Sequence, residues 1–151
     1  MILNYSDQKV INSKKSIFLA GPLPRKKEIK NWKDDVLKYL KELKYDGVVY
    51  IPEKRNHQII EGDADQTNWE MEAMNHSKVL LFWIPRSFPD MLGLTTNVEF
   101  GIWLSSGKIL YGRPDDAYMI EYLDLVYDKY YHKKPYNNLF ELVKEAVKIN
   151  N

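Results

Sequence analysis

Two glutamates with matching surroundings stand out as groups able to do chemistry. Thr67-Asn68-Trp69-Glu70 and Thr96-Asn97-Val98-Glu99 each place a Thr three residues before a Glu, the capping-box spacing of a helix start. In a first helical turn the dipole and the free N–H groups favour an ionised carboxylate. Such a carboxylate, held above the carboxyl end of a strand, can attack or stabilise a positive centre. A pair suits glycosyl chemistry: one attacks or stabilises the anomeric carbon and the other handles protons. Each glutamate alone is explained as well by capping, since it satisfies a backbone N–H. Two of them at one edge, each beside an Asn and a Thr, point beyond capping.

Other candidates surround them. Gly21 and Pro22 open the loop Gly21-Pro22-Leu23-Pro24-Arg25-Lys26-Lys27, where glycine lets backbone approach a ligand and the prolines stiffen the chain. Arg25, Lys26 and Lys27 can hold a phosphate or form a solvated helix start. Arg86 and Arg113 each follow an apolar run; one is free to bind substrate, with Arg113 the candidate, and the other to make a local salt bridge. Trp69, Trp83 and Phe88 are candidate platforms for a flat ligand. Asp63 and Asp65 lack the further spacing of a metal loop, and His57, His76 and His132 show no ligand spacing, so neither metal nor cofactor is expected. There is no serine elbow, P-loop or Gly-x-Gly-x-x-Gly to support acyl transfer, ATP use or dinucleotide binding.

The elements that must position these groups follow from periodicity. Apolar runs at 16–20, 48–51, 79–84 and 109–111, closed by Gly or Pro or by polar residues, read as buried strands. Ile29, Trp32, Val36, Leu37, Leu40 and Leu43 recur at helical spacing, predicting a helix over 28–44. Further helices are expected over 67–77, from Thr96 to Gly107, from Asp115 or Asp116 to about Leu125, and from Asn137 or Asn138 onward. Residues 1–15 read as a polar leader. The loop 85–95 is long for a strand-to-helix connection, as functional loops often are. Alternating strands and helices imply one α/β domain over 1–151. It is a flavodoxin- or Rossmann-like parallel sheet of four to five strands, with helices on both faces. Right-handed crossovers bring Gly21–Lys27, Glu70, 85–99 and Gly112–Asp116 to the carboxyl edge, where ligands bind.

The totals are those of an ordinary globular chain: 151 residues, 44% hydrophobic and 28% charged. A net charge of +1 argues against a nucleic-acid polymer as partner. The absence of cysteine excludes disulfides and thiolate chemistry. No apolar run reaches the ~20 residues of a membrane helix. Residues 4–7 are polar where a signal peptide would be apolar, so a cytoplasmic location is the default.

The order Leu81-Phe82-Trp83-Ile84-Pro85, Asn97-Val98-Glu99-Phe100-Gly101 through Gly107-Lys108, and Arg113-Pro114-Asp115 resembles the nucleoside 2-deoxyribosyltransferase family. Ile17-Phe18-Leu19-Ala20-Gly21-Pro22 is similar to its first strand and glycine loop, and the likeness spans roughly 16–125. The resemblance implies that Glu99 is the nucleophile at C1′ of deoxyribose. It puts Glu70 where the family has an Asp that contacts the base and moves its proton. Phe18 stands where the family carries a hydrogen-bonding Tyr, which Phe cannot replace. Asp90 is the candidate for a loop Asp that binds sugar or base, and Asn97, which opens the matching stretch, is a further substrate-binding candidate. The implied ligands are a nucleoside or nucleotide and a free base, and the implied assembly is a homo-oligomer, with the tyrosine-rich stretch after Leu125 placed to cover a neighbour's pocket. Transfer of deoxyribose between bases is the first expectation. Hydrolysis of nucleoside 5′-monophosphates is the alternative, and a non-catalytic nucleotide-binding module the third.

Overall fold

A computed structural model describes residues 1–56 and 64–151. The strands are β1 (Ile2–Tyr5), β2 (Ser16–Ala20), β3 (Val48–Ile51), β4 (Val79–Trp83) and β5 (Ile109–Gly112). The helices are α1 (Trp32–Glu42), α2 (Ala64–His76), α3 (Leu94–Trp103), α4 (Glu121–Tyr131) and α5 (Leu139–Asn150), with a 3-10 turn at Leu104–Ser106 after α3. The five strands form one sheet in the order β1-β3-β2-β4-β5, all parallel. This is the expected single α/β layer structure.

Strands β2, β3, β4 and β5 are buried along their whole length, which is why they read as continuous apolar runs rather than alternating ones. Alternation appears instead in which core each residue joins. Ile17 and Leu19 pack with Trp32, Val36, Leu40, Leu142 and Val143 of α1 and α5. Phe18 and Ala20 pack with Trp69, Ala73, Phe100 and Tyr127 of α2, α3 and α4. From β3 the chain crosses back over β2 to reach β4. The carboxyl ends of β2 and β4 therefore flank the change in strand order where such sheets bind ligands.

Several boundaries differ from the sequence expectations. Residues 2–5 are not leader but the edge strand β1, in register with Val48–Ile51. Its apolar signal is hidden by the buried Asn4, whose side chain bonds Lys9 O at 3.1 Å and Ile11 N at 3.0 Å. Neither threonine opens its helix. Thr67 lies inside α2, which begins at Ala64. In α3 the start is Leu94 and the cap is Gly93, left-handed at φ 66°, with no side-chain capping bond. Gly93 sits against Pro22, where an added Cβ would come within 2.8 Å of the proline Cβ, so a tertiary contact overrides the capping box. Asp115 and Asp116 do not cap α4, which starts at Glu121. Their segment is held by Arg113 N to Tyr136 O and Tyr118 N to Arg86 O, and Asp115 accepts from Asn137. By contrast α1 and α5 carry side-chain caps, Asn31 and Asn138. Tyr127 is fully buried and stacks on Tyr131, so that part of the tyrosine-rich stretch is core rather than a free tail.

Candidate active site at the carboxyl edge

The displaced helix starts move both glutamates into second turns, Glu70 on α2 and Glu99 on α3. Both helices cover the same face of the sheet, and the two carboxyls lie close enough for the charge on Glu70 to hinder ionisation of Glu99. Glu99 remains partly accessible as a residue while its carboxyl is largely buried. Burial, then Glu70, pushes it up to about 8, opposed by Lys33. Glu70 is also raised by burial, against a hydrogen bond from Gln66 at 2.8 Å and the charge of Lys33. Glu99 is therefore not the dipole-ionised group expected of a first turn. Desolvation outweighs the dipole, whose influence fades beyond the terminal turn. Burial thus pushes both carboxyls of the pair toward the protonated form.

Three residues that sequence reasoning passed over complete this cluster. Lys33, the second residue of α1, is only 2% exposed, and its ammonium lies 2.8 Å from the buried Glu53. Gln66 donates to both Pro52 O, at 3.2 Å, and Glu70. One signal was available: Glu53 follows a strand closed by Pro52, at the edge where the other candidates gather.

The remaining candidates have structural occupations. Gly21 is required because an added Cβ would lie 2.1 Å from the Trp83 carbonyl. The close approach is strand to strand, not backbone to ligand. Pro22 is buried, and its carbonyl accepts from Trp32 Nε1 at 2.9 Å. Phe18 is fully buried and packs on Trp69 with centroids 6.4 Å apart. Trp69 also packs edge-on to Tyr50 and donates to Gln8 O. Trp83 belongs to the core on the other face, beside α1 and α5. Both indoles are thus core members rather than open platforms. Phe88 is 71% exposed and pairs with Tyr118 at 6.0 Å on the connections after β4 and β5.

The cations divide in the same way. Arg113 is bound through Nε and Nη2 to Asp124, at 2.6 Å for Nη2, and the same carboxylate accepts from Tyr111. Arg113 is the local salt bridge. Arg86 is buried and donates to Leu92 O, Met119 O and the Asn97 side-chain oxygen, tying the loop before α3 to the loop before α4. Asn97 keeps its amide N–H₂ on an exposed residue. Asp90 pairs with Lys26 at 3.1 Å and its carbonyl accepts from Arg25 N, which joins the glycine loop to the loop before α3. Arg25 is exposed. Asp65 is exposed in the first turn of α2; Asp63 and His57 lie outside the described residues. Among the described residues no helix is long and apolar enough to cross a membrane.

Fold and site together define an α/β domain with a half-buried carboxylate pair at the topological switch of a parallel sheet. Residues 14–117, well over half of the chain, match the family described as nucleoside 2-deoxyribosyltransferase like, and the chain belongs to that family. The match runs from β2 past β5 and includes both glutamates. A search of curated proteins gave no match. Family membership points to transfer or hydrolysis of a glycosyl group and to nucleoside-type substrates.

Proposed function

We propose that the chain cleaves the N-glycosidic bond of a 2′-deoxynucleoside through a covalent sugar–Glu99 intermediate and passes the deoxyribose to another base. The observation that carries this reading is the pairing of Glu99 with Glu70 in a partly desolvated site at the sheet's carboxyl edge. A proton shared by two carboxyls is what the reaction consumes. The proton of Glu99 passes to Glu70, which leaves Glu99 ionised. Glu99 then attacks C1′ as the C1′–N bond breaks, through an oxocarbenium-like state, and Glu70 delivers the proton to the departing base nitrogen. An incoming base reverses these steps, returning its proton to Glu70. Water in its place gives hydrolysis, with the same return of one proton.

Mass spectrometry of the intact protein after mixing with a 2-fluoro-2-deoxynucleoside tests the reading. A fluorosugar adduct on Glu99, absent in Glu99→Gln, is the expected result, and turnover without any adduct overturns the covalent step. A nucleoside 5′-monophosphate hydrolase is the second reading, motivated by exposed Arg25 on the glycine loop. It predicts that a monophosphate is cleaved faster than its nucleoside, without need of an acceptor base. Inactivity toward both, with binding retained, would leave the non-catalytic module.

The same reading takes the protein as a homo-oligomer. Leu94, Val98 and Ile102 form an exposed apolar ladder along α3, beside the active glutamate, and Tyr122 and Leu125 are exposed on α4. Exposed apolar side chains aligned on one helix face suit a subunit interface. Light scattering showing only monomer at micromolar concentration would remove this part.

A further inference from the structure

Arg86 has no part in the reaction just described, yet stability alone accounts for it poorly. It is buried, at 7% exposure, and among the described residues no carboxylate pairs with it. Its partners are neutral: Nε donates to Leu92 O at 2.6 Å, Nη1 to Met119 O at 3.0 Å and Nη2 to the Asn97 side-chain oxygen. Asn97 lies in the first turn of α3, and Met119 just before α4. The cation therefore stands at the positive ends of two helices, neither with a side-chain cap. An apolar side chain would fill the space without the penalty of a buried, unpaired charge. It could not hold acceptors from two connections on one rigid fork. The backbone so held is strained as well. Met119 is left-handed at φ 45°, a conformation unfavourable for a residue with a Cβ. Its side chain is exposed, so its own packing does not offset the strain. The Arg86 carbonyl also accepts from Tyr118 N at 2.8 Å, so the segment before α4 is held through both the backbone and the side chain of Arg86.

We propose that Arg86 is a positioning residue: its guanidinium clamps the first turn of α3 to the segment leading into α4, and so fixes where Glu99 stands. The proposal rests on the reading of Glu99 as the attacking group. Every link is a contact. Leu92 and Asn97 bracket the start of α3, so a group bonded to both sets where the helix begins and how it is turned. Glu99 follows two residues after Asn97 on the same helix, which carries the constraint as a rigid body. Gly93, between the two held residues, lies against Pro22 of the glycine loop. A shifted start therefore disturbs that contact too. Lysine is no substitute, because its ammonium is a point charge on a flexible stem and not a fork.

The test compares the full-length protein with Arg86→Met, which keeps the bulk, and Arg86→Lys, which keeps the charge. Deoxynucleoside cleavage and native-state hydrogen exchange are measured on each. In both variants kcat falls by about 10²-fold, while KM for the nucleoside changes by less than about threefold. The amides of Asn97 and Tyr118, bonded to Gly93 O and Arg86 O, exchange about tenfold faster, with α5 unchanged. A merely structural role would lower stability and leave kcat of the folded protein as it was. Full activity in Arg86→Lys assigns the charge and not the clamp, and unchanged exchange in Arg86→Met removes the clamp; either overturns the proposal. Faster exchange with unchanged kcat overturns the positioning role and leaves the reading of Glu99 intact. A wild type without glycosyl activity overturns both, while exchange still decides whether the clamp exists. Should the Arg86 variants not fold, Asn97→Asp addresses the same contact from an exposed position. It supplies the carboxylate that Arg86 lacks and slows exchange at the start of α3 more than Thr95→Asp, which serves the dipole alone. Equal effects of the two overturn the clamp.

Discussion

The two faces of the sheet are built by different rules. On one, α1 and α5 begin at asparagine caps, bury a clean apolar stripe and show charged residues to solvent. On the other, α2 and α3 have weak amphipathic patterning, α3 has no side-chain cap, and α3 exposes Leu94, Val98 and Ile102. The first face obeys local rules because its work is to stabilise the sheet. The second carries Glu70 and Glu99, and its α3 starts where Gly93 meets Pro22 rather than at a side-chain cap. Places where local rules fail are where function is expected to sit.

The sharpest separation between the faces is expected in activity. Glu99→Gln, nearly isosteric, should lower base release by about 10³-fold or more with the fold intact by circular dichroism; unchanged turnover would make the second face merely structural. Next, Leu142→Ala in the buried α5 face should cost about 2–5 kcal/mol in denaturant unfolding, against about 0.5 kcal/mol or less for Val98→Ser on the exposed ladder. A large loss for Val98→Ser at high dilution would mean that the ladder is core.

The helix starts separate on a smaller scale. Gly93→Ala must adopt φ 66° against Pro22 and should cost about 1–3 kcal/mol, while Asn138→Ala should cost about 1 kcal/mol. If the two were reversed, the contrast between tertiary and local starts would fall.

Glu99 adds a pH signature. Its carboxyl is raised from 4.5 to about 8 in the folded chain, so the folded state binds the proton more tightly. The resulting stability is complete below the unfolded value and is lost as pH rises through about 8. Glu99→Gln should therefore gain on the wild type by about 1–2 kcal/mol at alkaline pH, a figure discounted for its partial exposure. Equal pH dependence in both proteins would mean that Glu99 is not desolvated. The same shift predicts that kcat/KM falls above about pH 8, where the pair loses its last proton.

Much of this architecture could be read directly from the chain. Buried strands declare themselves by unbroken apolar runs such as Val79–Trp83, and α1 by its three- and four-residue spacing. Glu70 and Glu99 were recognised through a motif that turned out not to cap. Their convergence came from topology and resemblance rather than from the threonines. Sequence patterns also promoted Trp69, Trp83 and Arg113, whose side chains are occupied in the core or by Asp124. A pattern shows that an aromatic or a cation is present, not whether its partners already sit elsewhere in the chain.

What the residues determine alone is therefore the α/β order, the parallel sheet and the edge where chemistry gathers, because hydrophobic periodicity and crossover handedness are local or general constraints. Only the tertiary structure decided that α3 starts at Gly93 against Pro22, that Lys33 and Glu53 meet although 20 residues apart, and that burial raises the Glu99 carboxyl. Those outcomes depend on packing and desolvation between distant segments, and neither spacing nor composition encodes the distance between two side chains.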